Sequence, residues 1–208
     1  MKNIIKSILP KSLWSDLSLF KFSRQWQSEL FCSPSPHPIK IATLLRNGIP
    51  GATWVETGTF RGDTTSILAK HSPCIYTIEP SEALFQKAKS FLSKHPNITV
   101  INGTSEGIFP SLLPKISGDI NFWLDGHFSG GPTFKANLDT PIIAELENIA
   151  SNLVNFNKVC ILIDDVRCFN PRDSRFSHYP DLGLLVDWAR DHNFFWTIEH
   201  DIFIAKNF

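Results

Sequence analysis

The stretch that decides the fold is Thr53-Trp-Val-Glu-Thr-Gly-Thr59, which continues as Phe60-Arg-Gly-Asp63. A short run rich in β-forming residues ends at Gly58, where the chain is expected to turn into a helix over 62–70. A strand, a glycine turn and a helix in this order form the first half of a βαβ unit. We therefore predict a parallel sheet that is covered by helices on both faces.

The alternation of strands and helices continues to the end of the chain. Further strands are predicted at 74–79, 98–101, 120–125 and 159–163, and helices at 81–94, 141–153 and 182–191. Two final apolar runs, 194–199 and 202–206, are separated by His200 and Asp201 and predict a hairpin. The predicted fold class is α/β, with a doubly wound, mostly parallel sheet and a C-terminal antiparallel hairpin.

The first 48 residues differ from the rest and are predicted to form an N-terminal helical segment with a linker, followed by the main domain at 49–208. Apolar residues recur at helical spacing between Leu13 and Phe22, residues 32–38 are rich in proline, and residues 39–47 predict a short amphipathic helix that ends at Gly48. This segment is interpreted as a helical flap on the main domain, with a substrate lid and a dimer contact as alternatives.

Composition limits the function. The chain has 208 residues, with 20 basic and 20 acidic side chains and a net charge of zero. A neutral chain is a poor candidate for binding nucleic acid through its phosphates, and no apolar run is long enough to cross a membrane. The four cysteines have no CxxC spacing. We therefore predict a reduced, cytoplasmic protein without disulfides or a zinc site.

Acidic residues follow several of the predicted strands. Glu56 lies near the end of the first strand, Glu79 ends the second, and Asp125 ends the fourth with His127 two positions later. Asp164 and Asp165 follow the fifth strand. The carboxyl ends of parallel strands meet at one edge of the sheet, where ligands of such folds bind. The sequence therefore predicts an acidic ligand site at this edge.

The glycine turn itself distinguishes between two kinds of ligand. A dinucleotide fingerprint needs a second and a third glycine for close approach to a pyrophosphate, but those positions hold Phe60 and Asp63. Carboxylates near a helix start repel phosphate and favour a cationic ligand. Glu79 after the second strand fits the ribose of an adenosine ligand, because a carboxylate accepts two hydroxyl hydrogen bonds. A nicotinamide-dependent oxidoreductase remains the alternative enzyme class.

These segments resemble a known family. Val55-Glu-Thr-Gly-Thr-Phe-Arg-Gly62 resembles the first motif of class I S-adenosylmethionine-dependent methyltransferases, Ile78-Glu79-Pro80 their second, and Asn102-Gly-Thr-Ser-Glu106 the segment that contacts adenine. The resemblance spans about 51–208 and implies a Rossmann-like, seven-stranded sheet. Leu124-Asp-Gly-His127 and Leu162-Ile-Asp-Asp165 resemble the metal-dependent O-methyltransferases that act on sugars in macrolide and aminocoumarin biosynthesis.

The resemblance implies a role for individual residues, with Glu56 beneath the methionine part, Glu79 on the ribose and Ser105 near the adenine. The implied cofactor-binding residues are Glu56, Thr57, Gly58, Thr59, Phe60, Glu79, Ser105 and Asp125. The implied ligands of a divalent cation, magnesium, are Asp125, Asp164 and Asp165. The implied catalytic residues are His127, as general base, and Asp125.

The implied chemistry is methyl transfer from S-adenosylmethionine to a hydroxyl group. A cation held by carboxylates lowers the pKa of a bound hydroxyl, and a histidine beside it can take the proton. A cation with two open positions would favour a vicinal diol, so we expect a sugar as acceptor and a role in carbohydrate biosynthesis, with a catechol as alternative. Arg167, Arg172 and Arg175 follow the last acidic pair and are predicted to bind an anionic part of this acceptor. A non-catalytic adenosylmethionine-binding protein is the remaining alternative.

Overall fold

The computed structural model describes residues 22–126 and 140–208. The strands are β1 (Thr53–Thr57), β2 (Ile75–Glu79), β3 (Ile98–Asn102), β4 (Gly118–Leu124), β5 (Phe156–Ile163), β6 (Phe195–Glu199) and β7 (Ile202–Lys206). The helices are α1 (His37–Asn47), α2 (Asp63–Leu68), α3 (Glu82–Leu92), α4 (Ser105–Leu112), α5 (Ile142–Asn152) and α6 (Leu182–Asp191). Residues 22–28 are also helical and precede α1.

The strands form one seven-stranded sheet in the order β3-β2-β1-β4-β5-β7-β6. Strands β1 to β5 are mutually parallel where they pair, and β7 runs antiparallel to both β5 and β6. The predicted fold class is therefore confirmed: a Rossmann-like, mostly parallel sheet with a C-terminal antiparallel hairpin. The strand order reverses between β1 and β4, and such a switch point opens a crevice at the carboxyl ends of the strands.

The register at the switch point brings three loops together. Thr57 at the end of β1 pairs with Leu124 at the end of β4, which in turn pairs with Ile163 at the end of β5. The residues that follow these strand ends are Gly58, Asp125 and Asp164. Gly58, Asp125 and Asp164, which the sequence analysis singles out, therefore lie next to one another along one edge of the sheet.

The hydrophobic core has two parts, one on each face of the sheet, because successive side chains of a strand point to opposite faces. Phe122 and Ile161 belong to the part that α4, α5 and α6 cover, whereas Trp123 and Leu162 belong to the part on the other face. Phe122 is fully buried and lies at 6.3 Å from Phe109, measured between ring centroids. The apolar residues on both faces of β4 and β5 explain their nearly continuous hydrophobic sequence.

Helix α1 packs on the second face, near the carboxyl edge of the sheet. Its residues Ile41 and Leu44 belong to the same core part as Trp54. The side-chain amide of Asn121 accepts a hydrogen bond from the Ile49 N–H at 2.8 Å and donates one to the Ile49 carbonyl at 3.0 Å. This buried pair ties the end of the N-terminal segment to β4, so α1 has a fixed position beside the switch point.

Several element boundaries differ from the sequence prediction. The sequence does not predict α4, because Pro110 lies inside it and proline is unusual within a helix. Gly48 has φ −64° and is extended, so it is not the left-handed helix cap that the sequence suggested. The hairpin is confirmed, and its turn residues His200 and Asp201 both have positive φ, as a tight two-residue hairpin turn requires.

The part of the chain that the structure describes contains no helix that is both long and apolar enough to span a membrane.

Candidate functional site

The loop after β1 depends on Gly58. Its φ is +85°, and a Cβ atom there would lie 2.4 Å from the backbone oxygen of Asp125. No side chain fits at that distance, so Gly58 lets the β1 loop pack against the backbone after β4. Phe60 also has positive φ, at 50°, and its ring is exposed beneath the guanidinium of Arg61. The loop therefore presents backbone and an aromatic ring at the crevice.

Glu56 lies under this loop rather than in the crevice. Its side chain is only 1% exposed, and one carboxylate oxygen accepts hydrogen bonds from Thr65 at 2.5 Å and Thr77 at 2.7 Å. Burial raises the pKa of Glu56 to about 7, although the two threonine hydroxyls oppose this shift. The structure therefore places Glu56 in a buried polar network that supports the loop.

Glu79 holds the loop from the side. Its carboxylate accepts hydrogen bonds from the backbone N–H of Phe60 at 2.8 Å and of Ser81 at 2.9 Å. Burial raises the pKa of this carboxyl, and the two backbone hydrogen bonds lower it in part. Each oxygen accepts one of these bonds and keeps further lone pairs for ligand hydroxyls. Glu79 therefore fixes Phe60 and is also suited to the predicted ribose contact.

Two further predicted cofactor contacts, Ser105 and Thr59, lie at the edge of this arrangement. Ser105 is buried and is the first residue of α4, directly after β3. The hydroxyl groups of Thr59 and Thr77 are 2.6 Å apart, so Thr59 joins the network around Glu56. Thr57 is buried too, and its hydroxyl has no hydrogen-bond partner among the described residues. Of these three residues, Thr59 alone lines one of the two cavities described below.

Two cavities open at the carboxyl edge. The first, of about 510 Å³, is lined by the β1 loop and the start of α2, including Gly58, Thr59 and Phe60. The second, of about 360 Å³, is lined by the face of α1 and by the strand-end acids. Asp125, His37 and Thr64 line both cavities. The Nε2 atom of His37 is 3.1 Å from the Thr64 hydroxyl, so these two side chains form part of the wall between them.

The acids of the second cavity are paired with lysine. The Nζ atom of Lys40 is 2.5 Å from Oδ2 of Asp164 and 3.1 Å from Oδ1 of Asp165. Burial alone would lower the pKa of Lys40, but the two aspartates outweigh it and the pKa is raised. Asp164 is 2% exposed, so this ammonium neutralises a carboxylate that lies almost entirely out of water. Lys40 is therefore a permanent cation within the acidic cluster.

This arrangement does not fit the magnesium site that the sequence predicts. Among the described residues, no group of three or more His, Cys, Asp or Glu side chains is arranged to hold a metal ion. The ammonium of Lys40 lies against two of the three proposed ligands, and a divalent cation beside it would be repelled. One cavity is lined by all three proposed ligands, Asp125, Asp164 and Asp165, as predicted. The cation that lies among them is the ammonium of Lys40.

The three predicted substrate arginines do not lie together. Arg167 lines the second cavity, and its guanidinium bonds to Asp165 at 2.6 Å and to Asp201 of the hairpin turn. Arg175 is exposed and forms a two-point contact with Asp173, the residue two positions before it. Arg172 is also exposed, and neither Arg172 nor Arg175 lines one of the two cavities. Of the three predicted arginines, only Arg167 therefore lies beside the candidate site.

The predicted base, His127, lies outside the described residues. In contrast, the structure brings in two residues that the sequence analysis did not select, His37 and Lys40. Both lie on α1, which begins at His37, within the last two residues of the proline-rich stretch. Their spacing of three positions on an amphipathic helix was the available signal, but it does not show which edge of the sheet they meet.

Comparison with known proteins supports the fold. No family model matches the chain, and no curated protein does. A candidate rRNA methylase from Clostridium thermocellum is 10% identical over 81% of this chain and 94% of its own, with a TM-score of 0.53. A candidate methyltransferase from Streptococcus mutans, in complex with SAH, is 13% identical over 82% and 96%, with a TM-score of 0.51.

Fibrillarin from Aeropyrum pernix, with natively bound S-adenosyl-L-methionine, is 13% identical over 80% of this chain and 73% of its own, with a TM-score of 0.50. At these identities the likeness concerns the fold alone. The chain thus has the Rossmann-like fold seen in S-adenosylmethionine-dependent methyltransferases. The fold that the sequence resemblance implied is confirmed, whereas these structures do not support the narrower resemblance to metal-dependent sugar O-methyltransferases.

Proposed function

We propose that the protein is an S-adenosylmethionine-dependent methyltransferase that acts on a hydroxyl group of a small polyhydroxylated molecule, such as a sugar. The observation that carries the proposal is the meeting of two cavities at Asp125, with His37 and Thr64 lining both. A methyl transferase needs a donor site and an acceptor site whose reacting atoms come within about 3–3.5 Å. Two cavities that share lining residues are adjacent, so a donor in one and an acceptor in the other can come that close.

The first cavity is proposed as the cofactor site. Gly58 and Phe60 line this cavity, and Gly58 lets the β1 loop pack closely against the backbone of Asp125. Glu79 is proposed to bind the ribose hydroxyls, and Asp125, which lines the cavity, is proposed to contact the cationic methionine end. The bound cofactor would supply a methyl group already activated on a sulfonium. No residue here forms a phosphate cradle of the dinucleotide type, because Phe60 and Asp63 replace its glycines.

The second cavity is proposed as the acceptor site. Its polar lining combines hydrogen-bond acceptors, in Asp125 and Asp165, with a donor, Lys40. Neighbouring hydroxyl groups both donate and accept, so a sugar-like acceptor matches this lining better than an apolar molecule. The zero net charge of the chain disfavours a polyphosphate such as RNA, whose binding needs a basic surface. For that reason the acceptor proposed here is small and not a nucleic acid.

Proton removal is assigned to two histidines, one chosen from the sequence and one from the structure. His127 stays the proposed general base, two residues beyond Asp125. His37 is a second group that can accept a proton: burial lowers its pKa, although Asp63 opposes this, so the ring is neutral near pH 7. The metal-assisted form of the reaction, with a diol bound to magnesium, does not fit the ion pairs of Lys40.

The test is a panel assay for release of the demethylated cofactor. Free sugars, glycosides, nucleotide sugars, catechols and an RNA oligonucleotide would each be incubated with the protein and S-adenosylmethionine. We expect turnover with a hydroxylated small molecule and a loss of about 10²–10⁴-fold in His127→Ala if that residue is the base. The matched control is His192→Ala, which changes a histidine remote from both cavities. Turnover on RNA alone, or on an amine alone, would contradict the proposal.

A further inference from the structure

Helix α1 supplies one side of the proposed acceptor cavity. His37, Lys40, Ile41 and Leu44 line it, and their positions recur at the spacing of one helix face. Leu44 is fully buried in the core, and the Asn121 amide fixes the loop just after the helix. The position of the helix therefore does not depend on Lys40. The packing of α1 on the sheet places the lysine beside the aspartates.

Lys40 joins distant parts of the chain at this point. It lies 124 positions before Asp164 in the sequence, and the lysine side chain is 16% exposed whereas that of Asp164 is 3% exposed. An ammonium has three N–H donors. Its contacts with Asp164 and Asp165 occupy two of them among the described residues. The third N–H donor and the exposed part of the lysine side chain can therefore contact a molecule in the cavity.

We propose that Lys40 is the cation of the acceptor site, built into the chain in the position where a divalent metal ion would otherwise be held. Asp164 and Asp165 orient its ammonium, and the ammonium binds the acceptor oxygen. The hydroxyl proton would pass to the base, and the ammonium would stabilise the negative charge that this leaves on the oxygen. The oxygen would then bond to the methyl carbon as the sulfur–methyl bond breaks. This catalytic part rests on the proposed function, whereas the exclusion of a metal ion does not.

The metal claim is tested by titrating Mn²⁺ into the purified full chain and counting bound ions by electron paramagnetic resonance. The unaltered protein is expected to bind no Mn²⁺ at this edge. Lys40→Met removes the ammonium from both aspartates and leaves Arg167 beside Asp165. We expect this variant to bind Mn²⁺ at least ~10-fold more tightly, since carboxylate oxygens suit such ions. Lys206→Met is the matched control, because Lys206 is also half-buried but bonds to Asn47, away from the cavity.

A saturable Mn²⁺ site in the unaltered protein that disappears in Asp164→Asn would overturn the proposal. This measurement needs no lysine variant, so it decides even if Lys40→Met fails to fold because the buried Asp164 loses its ion pair with Lys40. If Lys40→Met folds and gains no Mn²⁺ binding, the proposal also fails.

The catalytic claim is tested on an acceptor found in the panel assay. Chelator should leave turnover unchanged, Lys40→Met should lower kcat by ~10²-fold or more, and Lys40→Arg should recover part of it. Turnover that stops in chelator and returns with Mg²⁺ would overturn the claim. If no acceptor is methylated but Lys40→Met alone gains Mn²⁺, the proposed function fails while Lys40 remains the cation of the cluster.

Discussion

Replacement of Glu56 by glutamine should change how the stability of the protein depends on pH. The Glu56 carboxyl is 1% exposed, and burial raises its pKa to about 7 from an ordinary value of 4.5. Because the folded state holds its proton more tightly than the unfolded chain, this carboxyl favours folding at low pH. That contribution is fully present below the unfolded pKa and is lost as the pH rises toward 7.

The size of the effect follows from the shift. One pKa unit corresponds to 1.36 kcal/mol, so the full shift amounts to about 3 kcal/mol, of which about 2.5 kcal/mol falls between pH 5 and pH 8. A glutamine keeps a carbonyl oxygen for Thr65 and Thr77 but does not ionise. We therefore expect the free energy of unfolding of Glu56→Gln, relative to the unaltered protein, to rise by about that amount from pH 5 to pH 8.

The assay is urea unfolding, followed by tryptophan fluorescence, at several pH values between 5 and 8. Glu147→Gln is the matched control, because Glu147 is exposed on α5 and its loss should leave the pH dependence unaltered. If the free energy of unfolding has the same pH dependence in the two variants, the Glu56 carboxyl is not buried with a raised pKa. That result would refute the placement of Glu56 beneath the loop.

Two other predictions concern the loop and the core. Gly58→Ala should lower the free energy of unfolding by about 2 kcal/mol or more, because an alanine at φ +85° is strained and its Cβ would meet the Asp125 oxygen. Gly51→Ala is its control in the same denaturation series, since a Cβ at Gly51, φ +73°, meets no atom and only the backbone cost remains. Phe122→Ala should cost about 3–5 kcal/mol in the same assay, because the ring is fully buried. A cost below about 1 kcal/mol would place Phe122 outside the core.

The sheet was predictable because it depends on local patterns. Each strand is a short apolar run, and the helices between them carry one apolar face, so the alternation alone determined the fold class. The glycine turn at Gly58 and three of the acids were placed correctly at one edge for the same reason, namely Asp125, Asp164 and Asp165. Glu56 lies buried beneath the loop instead. The exception, α4, contains Pro110, which disguises a helix in the sequence.

The partners of the acids could not be predicted, because they depend on contacts between distant parts of the chain. Asp164 and Asp165 follow a buried strand, and that pattern equally fits ligands of a metal ion and partners of a cation from the protein. Only the packing of α1 on the sheet shows that Lys40 is that cation. Similarly, Arg167 was grouped with Arg172 by sequence proximity, but the hairpin residue Asp201 holds Arg167 alone near the cavity.

The central claim is that the cavity at Gly58 binds S-adenosylmethionine, and calorimetric titration of the purified protein tests it most directly. The account predicts saturable binding of S-adenosylmethionine or its demethylated product at one site per chain, no binding of a nicotinamide dinucleotide, and at least ~10-fold weaker binding in Glu79→Ala, which loses the proposed ribose contact. Glu82→Ala, three positions further along the chain and exposed at the start of α3, should bind normally. Binding of the nicotinamide dinucleotide in place of S-adenosylmethionine would contradict the account.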